Sequence, residues 1–391
     1  MPVVNRISEF QPEITAWRRE LHAHPELMYE VHRTAEFVAT KLREFGCHDV
    51  ATGIGRTGVV GRIKGRKPAR DGNIKVVALR ADMDALPIEE ETGAPYRSTV
   101  PGRMHACGHD GHTAMLLGAA RYLAETRNFA GEAVLVFQPA EEGGAGAAAM
   151  LDDGLVDRYG IDEIYGMHNA PGMAVGSFAL RAGPAMASTD HVDIEIEGVG
   201  GHAAAPHKTI DPVLAGSQLV VALQSIVSRA ADPLESAVIS ICQFKAGEAR
   251  NVIPQTATLV GTVRTLTPAM RDMVEKRVRE VAAGIATQTG TKINLRYQRG
   301  YPVLVNHDAQ TEVAARVAGE VAGQGRVSLG MPPLMGAEDF AYMLQARPGA
   351  FIFLGNGDTA GWHHPAFDFN DDAAVFGTSY WVRLVETQLP A

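Results

Sequence analysis

The sequence predicts an α/β fold into which a smaller α+β domain is inserted, and three observations support this fold class. Short apolar runs typical of buried strands alternate with helical segments as far as Gly183, which favours a mostly parallel sheet. The pattern then changes to strict polar and apolar alternation, which indicates an antiparallel sheet with one solvent-facing side. After Gly300 the first pattern returns. We therefore expect a discontinuous domain of residues 1–183 and 300–391 and an inserted domain of residues 184–299.

The discontinuous domain begins with helical segments on either side of Pro25, and Gly46 supplies a stop signal. Apolar residues recur there at helical spacing, at Ile14, Trp17, Leu21, Ala35, Val38, Leu42 and Phe45. Buried strands are predicted at 74–79, 133–137 and 163–167, with a helix at about 113–127. After the inserted domain, helices are predicted at 309–323 and after Glu338-Asp339, and a strand at 351–355.

The inserted domain has the order β-α-β-β-α-β, which matches the ferredoxin-like unit. Its strands are predicted at 191–197, 237–244, 257–265 and 292–297. The first helix follows Asp211-Pro212, where Asp caps the helix and Pro occupies its first turn, and it carries the apolar residues Leu214, Val221 and Leu223. The second helix begins near Pro268.

Composition excludes several classes of function. The 391 residues include 36 Lys and Arg against 45 Asp and Glu, a formal net charge of −9, which argues against a nucleic-acid partner. The three cysteines, Cys47, Cys107 and Cys242, give no disulfide framework and fit a reducing cytoplasm. Since no signal peptide and no window of about 18 uninterrupted apolar residues is found, we expect neither export nor a membrane partner.

Side chains that could carry chemistry follow the predicted strands. Cys107 and His109 are good ligands for Zn²⁺ and similar ions, although Cys107 could instead be a nucleophile or a buried residue in a Gly-rich turn. Glu141 and Glu142 could divide two roles, one binding a metal and the other taking a proton from water, or could be a solvated pair of acids. His168 also ends a strand, and ligands bind beyond the carboxyl ends of such strands.

Two further groups complete the set. Either His363 or His364 could face a metal, because both precede Pro365 after a strand and a Gly-rich turn. Asp82 and Asp84 are potential ligands or hydrogen-bond partners that orient imidazole rings. Together these residues supply enough ligands for two divalent ions, an arrangement that recurs in hydrolases.

The sequence resembles the metal-dependent amidohydrolases of the aminoacylase/carboxypeptidase superfamily, in the branch of hippurate hydrolases and N-acyl-amino-acid amidohydrolases. The matching stretches keep the family order and span nearly the whole chain. They are RELHAHPEL (19–27), LRADMDALP (79–87), MHACGHD (104–110), FQPAEE (137–142), GGHAAAPH (200–207), NVIP (251–254), GTVRT (261–265), GAEDF (336–340) and HHPAF (363–367).

The resemblance implies a zinc-peptidase-like mixed sheet flanked by helices, with an inserted ferredoxin-like lid that forms a homodimer or higher homo-oligomer. It implies two divalent ions (Zn²⁺, Mn²⁺, Co²⁺ or Ni²⁺) held by Cys107, His109, Glu142, His168 and His363. The family motif His-x-Pro selects His363 over His364.

The resemblance also assigns roles to other residues. Glu141 is implied as general base, His202 as a donor to the oxyanion, Asn251 and Arg264 as partners of the substrate carboxylate, and Asp84 as a group supporting the ligands. The expected activity is cytoplasmic hydrolysis of small N-acyl amino acids. A dipeptidase or aminopeptidase, an N-acetyldiaminopimelate deacetylase, and a ligand-binding module without catalysis are the alternatives.

Overall fold

The structure is a computed structural model that describes residues 4–69, 72 and 74–390. Those residues form ten α-helices and sixteen β-strands. The helices are α1 (Asn5–His22), α2 (His32–Glu44), α3 (His109–Thr126), α4 (Gly146–Asp152), α5 (Leu155–Tyr159), α6 (Pro212–Ser225), α7 (Pro268–Thr289), α8 (Asp308–Ala322), α9 (Phe340–Ala346) and α10 (Asp371–Gln388). The strands are β1 (Asp49–Ile54), β2 (Gly58–Lys64), β3 (Val76–Asp82), β4 (Glu132–Gln138), β5 (Glu163–Pro171), β6 (Phe178–Ala179), β7 (Gly183–Met186), β8 (Asp190–Glu197), β9 (Gly201–His202), β10 (Ala237–Ala246), β11 (Val252–Ile253), β12 (Thr256–Thr265), β13 (Lys292–Arg299), β14 (Leu304–Asn306), β15 (Val327–Ser328) and β16 (Gly349–Gly357).

The chain divides into two compact units. The first consists of Met1–Gly183, Val305–Pro332 and Tyr342–Ala391, and the second of Pro184–Leu304 and Pro333–Ala341. The second unit therefore includes Pro333–Ala341, a segment that the sequence predicts to lie in the discontinuous domain. Sequence proximity to α9 favours that prediction, but the backbone of Ala187 donates to the carbonyl oxygens of Leu334 and Gly336 and ties the segment to the second unit.

The first unit is built on an eight-stranded sheet with the order β1-β2-β4-β3-β5-β16-β6-β15. The central strands β4, β3, β5 and β16 run parallel, whereas β1 and β2 form an antiparallel edge. Every residue of β3 and β4 is buried, as expected for strands covered by helices on both faces. This mixed sheet confirms the predicted α/β fold class.

Helices α1, α3 and α10 pack against one another beside this sheet. The sequence predicts α1 and α3 but not α10, whose Tyr380 and Trp381 belong to the core. The start signal of α10 is nevertheless present, because the Asn370 side chain accepts a hydrogen bond from the backbone N–H of Asp372. The antiparallel pair β1 and β2 is likewise absent from the prediction.

The second unit confirms the predicted ferredoxin-like order. Its four-stranded antiparallel sheet has the order β10-β12-β8-β13, and α6 and α7 pack on one face of it. The predicted cap of α6 is also observed, since Asp211 accepts hydrogen bonds from the backbone N–H groups of Val213 and Leu214. Of the apolar residues noted in α6, only Leu223 is in the core, whereas Leu214 and Val221 are 55% and 73% exposed.

Among the described residues, one continuous helical stretch, Pro212–Ala230, is long and apolar enough by length and composition to cross a membrane. The sequence predicts no membrane span because charged and polar residues interrupt every apolar run. One side of this stretch contributes Ala215, Leu219, Leu223 and Ile226 to the core of the second unit. The rest of its apolar surface is largely exposed.

Candidate metal centre

The ends of three neighbouring strands bring the candidate residues of the first unit together. β3 ends at Asp82, β4 leads into Glu141 and Glu142, and β5 carries His168. Because the carboxyl ends of adjacent parallel strands lie at the same edge of a sheet, these side chains converge there. The turn that carries Glu141 and Glu142 is tight, with Ala140 at φ +54° before them and Gly143 at φ +91° after them.

The second contribution comes from the start of α3. Gly108 lies at φ +88° between Cys107 and His109. A Cβ atom at Gly108 would lie 2.3 Å from Nδ2 of Asn169, so only glycine fits both the backbone conformation and the space. The local sequence Cys-Gly-His therefore turns two donor side chains toward the strand ends.

Donor atoms of the five predicted ligands form two overlapping groups. In one group Cys107, His109 and His168 lie with their donor atoms within 4.8 Å of one another, and in the other Cys107 is joined by Glu142 and His363. Sγ of Cys107 is 3.4 Å from Nε2 of His168, and Oε1 of Glu142 is 3.2 Å from Nε2 of His363. The thiol of Cys107 is common to both groups.

The two buried histidines each have one ring nitrogen aimed into this cluster. Nδ1 of His109 donates to the carbonyl oxygen of Asp84 at 2.8 Å, and Nδ1 of His168 donates to that of Asn169 at 2.8 Å. Nε2 of His109 is buried and has no hydrogen-bond partner within the described part of the chain. An imidazole whose Nδ1 bonds to a backbone carbonyl and whose Nε2 has no protein hydrogen-bond partner has the usual arrangement of a metal ligand.

Burial and neighbouring charges shift the pKa values of this cluster. Burial raises the pKa of the Cys107 thiol well above its usual range, and the carboxylates of Glu142 and Glu141 raise it further. Burial opposes the charge on His109, but Asp82 and Asp84 outweigh it and raise the pKa of His109 to about 10. Without a cation the Cys107 side chain is therefore a neutral thiol, which disfavours its alternative role as a nucleophile.

The pKa values of Glu142 and His168 are lowered instead. Burial opposes ionisation of Glu142, yet the hydrogen bond from His363 and the charge on His109 lower its pKa overall. Burial and the nearby ring of His112 lower the pKa of His168, which keeps this imidazole neutral. Carboxylate, neutral imidazole and thiol donors in one buried cluster fit a divalent ion of the Zn²⁺, Co²⁺, Mn²⁺ or Ni²⁺ type.

The remaining predicted residues of the first unit surround the cluster. The carboxyl group of Glu141 lies within 4.8 Å of donor atoms of His109 and Glu142. Asp84 accepts the backbone N–H groups of Glu141 at 2.9 Å and Glu142 at 3.1 Å, so it fixes the acid pair. His364 is exposed, and its Nδ1 accepts the backbone N–H of Ala366 at 3.0 Å.

His202, Asn251 and Arg264 lie in the second unit. His202 and Asn251 are brought together by the pairing of β9 with β11, where Ala203 N–H donates to the Asn251 carbonyl at 3.0 Å. Arg264 lies on β12, half-buried, and donates to the hydroxyl of Thr262. Burial lowers the pKa of the Arg264 guanidinium.

Two buried residues beside the cluster are missing from the sequence prediction, His112 and Asn169. His112 follows His109 by three positions in α3, a spacing that places both rings on one face of the helix and that could have identified it. Asn169 follows His168 in β5, and no spacing rule points to it.

Comparison with known proteins identifies the family. The model of the peptidase family M20/M25/M40 matches residues 78–387. A hippurate hydrolase of Campylobacter jejuni is 42% identical over 384 residues, 98% of each chain, and an N-acetyl-L-cysteine deacetylase of Bacillus subtilis is 43% identical over 96% of this chain and 88% of its own. The crystal structure of Bacillus subtilis YxeP, described as a dinuclear metal binding peptidase from the M20 family, superposes with a TM-score of 0.84 at 35% identity, covering 98% of this chain and 99% of that one. These matches confirm the resemblance: the chain belongs to the peptidase family M20/M25/M40 and is a metal-dependent amidohydrolase.

Proposed function

We propose that the protein hydrolyses the amide bond of N-acyl amino acids and releases a carboxylic acid and a free amino acid. The observation that carries this proposal is the pair of donor groups that share Cys107, with the carboxyl group of Glu141 beside them. The two curated relatives described above support the substrate class, because one is named for an N-benzoyl and the other for an N-acetyl amino acid.

The five donors Cys107, His109, Glu142, His168 and His363 would hold two divalent ions. When bound, such ions lower the pKa of water and polarise the carbonyl group of the scissile amide. The sharing of the Cys107 thiol between two donor groups supports two ions rather than one. Zn²⁺, Mn²⁺, Co²⁺ and Ni²⁺ all match these ligand types, so metal identity is set by availability as well as by the site.

In this proposal Glu141 is the general base and later the general acid. Its carboxylate accepts a proton from the attacking water and then delivers it to the nitrogen of the leaving amine. The two backbone N–H groups that donate to the Asp84 carboxylate hold the turn that presents Glu141 beside His109 and Glu142. A fixed base lowers the cost of ordering the transition state.

The second unit would supply the contacts to the rest of the substrate. Nδ1 of His202 accepts the backbone N–H of Ala204 at 3.0 Å, which leaves Nε2 as the N–H donor of the neutral ring and suits it to stabilise an oxyanion. Asn251 and Arg264 would bind the carboxylate of the amino acid, and a guanidinium group matches that carboxylate with two parallel hydrogen bonds.

We assign the exposed surface of the second unit to contacts with a second copy of the chain. β10 lies at the edge of its sheet, where Val238 and Phe244 are exposed, and α6 exposes Leu214 and Val221. An unpaired edge strand beside an apolar helix face is a surface that a symmetric partner can cover. Sedimentation of the wild-type protein should therefore give a dimer or larger homo-oligomer, and Val221→Glu should give the monomer. A wild-type monomer would contradict this assignment.

We also place the protein in the cytoplasm. Cys47, Cys107 and Cys242 are all free, and Cys107 has to remain reduced to serve as a ligand. Thiols persist in reducing compartments. Fractionation of native cells should recover the protein with cytoplasmic markers, and recovery with exported proteins would refute this location.

A substrate panel tests the activity. The panel contains hippurate, several N-acetyl amino acids, N-acetyldiaminopimelate and dipeptides, each measured after chelation and after return of Mn²⁺, Zn²⁺ or Co²⁺. We expect chelation to abolish turnover of acyl-amino acids and added metal to restore it. Faster turnover of dipeptides would identify a peptidase instead, and turnover that survives chelation would overturn the metal-dependent mechanism.

A further inference from the structure

Asn169 connects several of the segments that carry candidate ligands. It follows His168 in β5 and is fully buried. Its side-chain Nδ2 donates to the carbonyl oxygen of Cys107 at 2.6 Å, and its Oδ1 accepts from Nε1 of Trp362 at 3.3 Å. Trp362 directly precedes the candidate ligand His363. One buried amide therefore contacts the chain beside three ligands that lie far apart in the sequence.

His112 connects the same residue to β3. Nδ1 of His112 donates to Oδ1 of Asp82 at 2.6 Å, and Nε2 accepts the backbone N–H of Asn169 at 2.9 Å. Asp82 is held in turn by Nη1 of Arg80 at 2.7 Å. A neutral imidazole has one N–H donor and one lone pair, and both are used here.

This use of both nitrogens separates His112 from the neighbouring histidines. Its ring lies within donor distance of Asp82 and His109, so proximity alone would include it in a metal site. His109 and His168, by contrast, each keep Nε2 directed into the cluster and use only Nδ1 for a backbone carbonyl. The hydrogen bonds thus sort three adjacent histidines into two ligands and one support.

We propose that Asp82, His112 and Asn169 form a positioning bridge that sets the separation of Cys107 and His168, and that His112 binds no metal. The proposal rests on the proposed metal centre. Cys107 and His168 come from different elements, and Asn169 joins them through the Cys107 carbonyl and its own link to His168. Groups that orient metal ligands typically contribute about 10–100-fold to metal affinity.

Cobalt titration of the full-length protein tests the bridge. The metal is removed by chelation, Co²⁺ is added back, and the thiolate-to-Co²⁺ absorption in the near ultraviolet and the visible bands are followed. His112→Phe keeps a ring but removes both hydrogen bonds, whereas His112→Gln keeps an acceptor and a donor. We expect His112→Phe to weaken Co²⁺ binding and alter the thiolate band, with an affinity loss of roughly 10–100-fold, and His112→Gln to restore most of both.

Asn169→Ala provides a second route, because it leaves the backbone N–H bond to His112 in place and removes only the side-chain contacts. We expect it also to lower Co²⁺ affinity. Asn306→Ala is the matched control. Asn306 is buried and its Nδ2 donates to the carbonyl oxygens of Arg181 and Phe351, but it contacts none of the candidate ligands. It should lower thermal stability while leaving the cobalt spectrum unchanged.

The outcomes separate the bridge from the metal centre itself. A wild-type protein that develops no thiolate-to-Co²⁺ band would refute the centre and the bridge together. A wild-type protein with the band, and Asn169→Ala and His112→Phe variants that match it in affinity and spectrum, would refute the bridge alone. If His112→Gln lost a Co²⁺ ion as completely as His112→Phe, His112 would be a ligand and the assignment would be overturned. Should His112→Phe fail to fold, Asn169→Ala decides between these results.

Discussion

The candidate residues of the two units differ in how firmly the fold holds them. In the first unit Cys107, His109 and His168 are buried, and each of the two imidazoles donates to a backbone carbonyl. In the second unit His202 and Asn251 are exposed and lie on a short two-stranded pairing. The first set is ordered by the core, whereas the second is ordered by local backbone contacts alone.

The buried and the exposed sets of residues therefore suit different roles. Donors that must meet a cation at fixed distances gain from being locked before it arrives, because ordering them during binding would reduce affinity. Groups that meet the substrate gain from exposure, because the substrate has to enter and leave. We therefore expect substitutions in the first unit to change metal content and stability, and substitutions in the second unit to change turnover alone.

The largest expected effect concerns Glu141, the residue of the first unit whose substitution should change turnover without changing metal content. Glu141→Gln keeps the size of the side chain and removes the base, so kcat should fall by roughly 10³-fold, since a proton-transferring group contributes about 10²–10⁴-fold. Metal content, measured by elemental analysis, should stay at the wild-type level. Glu142→Gln is the control and should lose metal as well as activity. A Glu141→Gln enzyme that retains wild-type turnover would refute the mechanism.

The next effect tests the second unit. His202→Ala removes the proposed oxyanion donor, and kcat should fall by roughly 10²-fold with metal content and melting temperature unchanged. His207→Ala is the matched control, because His207 is also an exposed histidine of the second unit and has no assigned role. Equal losses from both substitutions, or loss of metal from His202→Ala, would break the distinction between the units.

The same contrast explains what the sequence could and could not predict. Cys107, Glu142 and His168 can be singled out as candidate ligands from the sequence, because they lie near predicted strand or helix boundaries and have ligand chemistry. The contacts of Asn169 with Cys107 and Trp362 are not predictable in this way, since only the folded chain brings these residues together. The sequence signals that allow prediction are local, whereas the contacts that support a site form between segments that are distant in the sequence.

The fold shows the same limit. Strands β3, β4 and β5 are predictable because burial on both faces leaves uninterrupted apolar runs. In α6 the apolar residues Leu214 and Val221 cannot be separated from the core residue Leu223 by composition, because the exposed side of the helix is also apolar. Helical periodicity becomes ambiguous when apolar residues cover more than one face of a helix.

The third prediction concerns the stability of the first unit. His22 is buried between Asp110 and Glu90, with its nitrogens 2.8 and 3.2 Å from their carboxylate oxygens. Burial opposes its charge, but Asp110 and Glu90 raise its pKa from 6.5 to about 9. A raised pKa stabilises the folded state fully below about pH 6.5, and this stabilisation is lost as pH rises through about 9. The shift corresponds to about 3 kcal/mol of unfolding free energy.

Urea denaturation of the wild type and of His22→Asn across this range measures that contribution. The wild type should exceed the variant by the larger margin at pH 6, and the margin should shrink as pH rises to 10. His24→Asn is the control, because His24 is only partly buried and its Nδ1 bonds to the backbone carbonyl of Glu20. A margin for His22→Asn that is constant across the range would show that folding does not raise the pKa of His22.

The smallest expected effect concerns Asp84, which has no proposed contact with metal or substrate. Asp84→Asn keeps one acceptor oxygen but places an amide NH₂ group against the backbone N–H of Glu141 or Glu142, so the acid pair loses one of its two fixed positions. We expect a loss of roughly 10-fold in metal affinity and in kcat/KM, the lower end of what such supporting groups contribute. Asp162→Asn is the matched control, because Asp162 accepts the backbone N–H of Val76 at the opposite end of β3. If Asp162→Asn weakened metal binding as much as Asp84→Asn, the effect would come from the stability of β3. The hydrogen bonds that hold Glu141 and Glu142 would then not explain the difference between the first unit and the second.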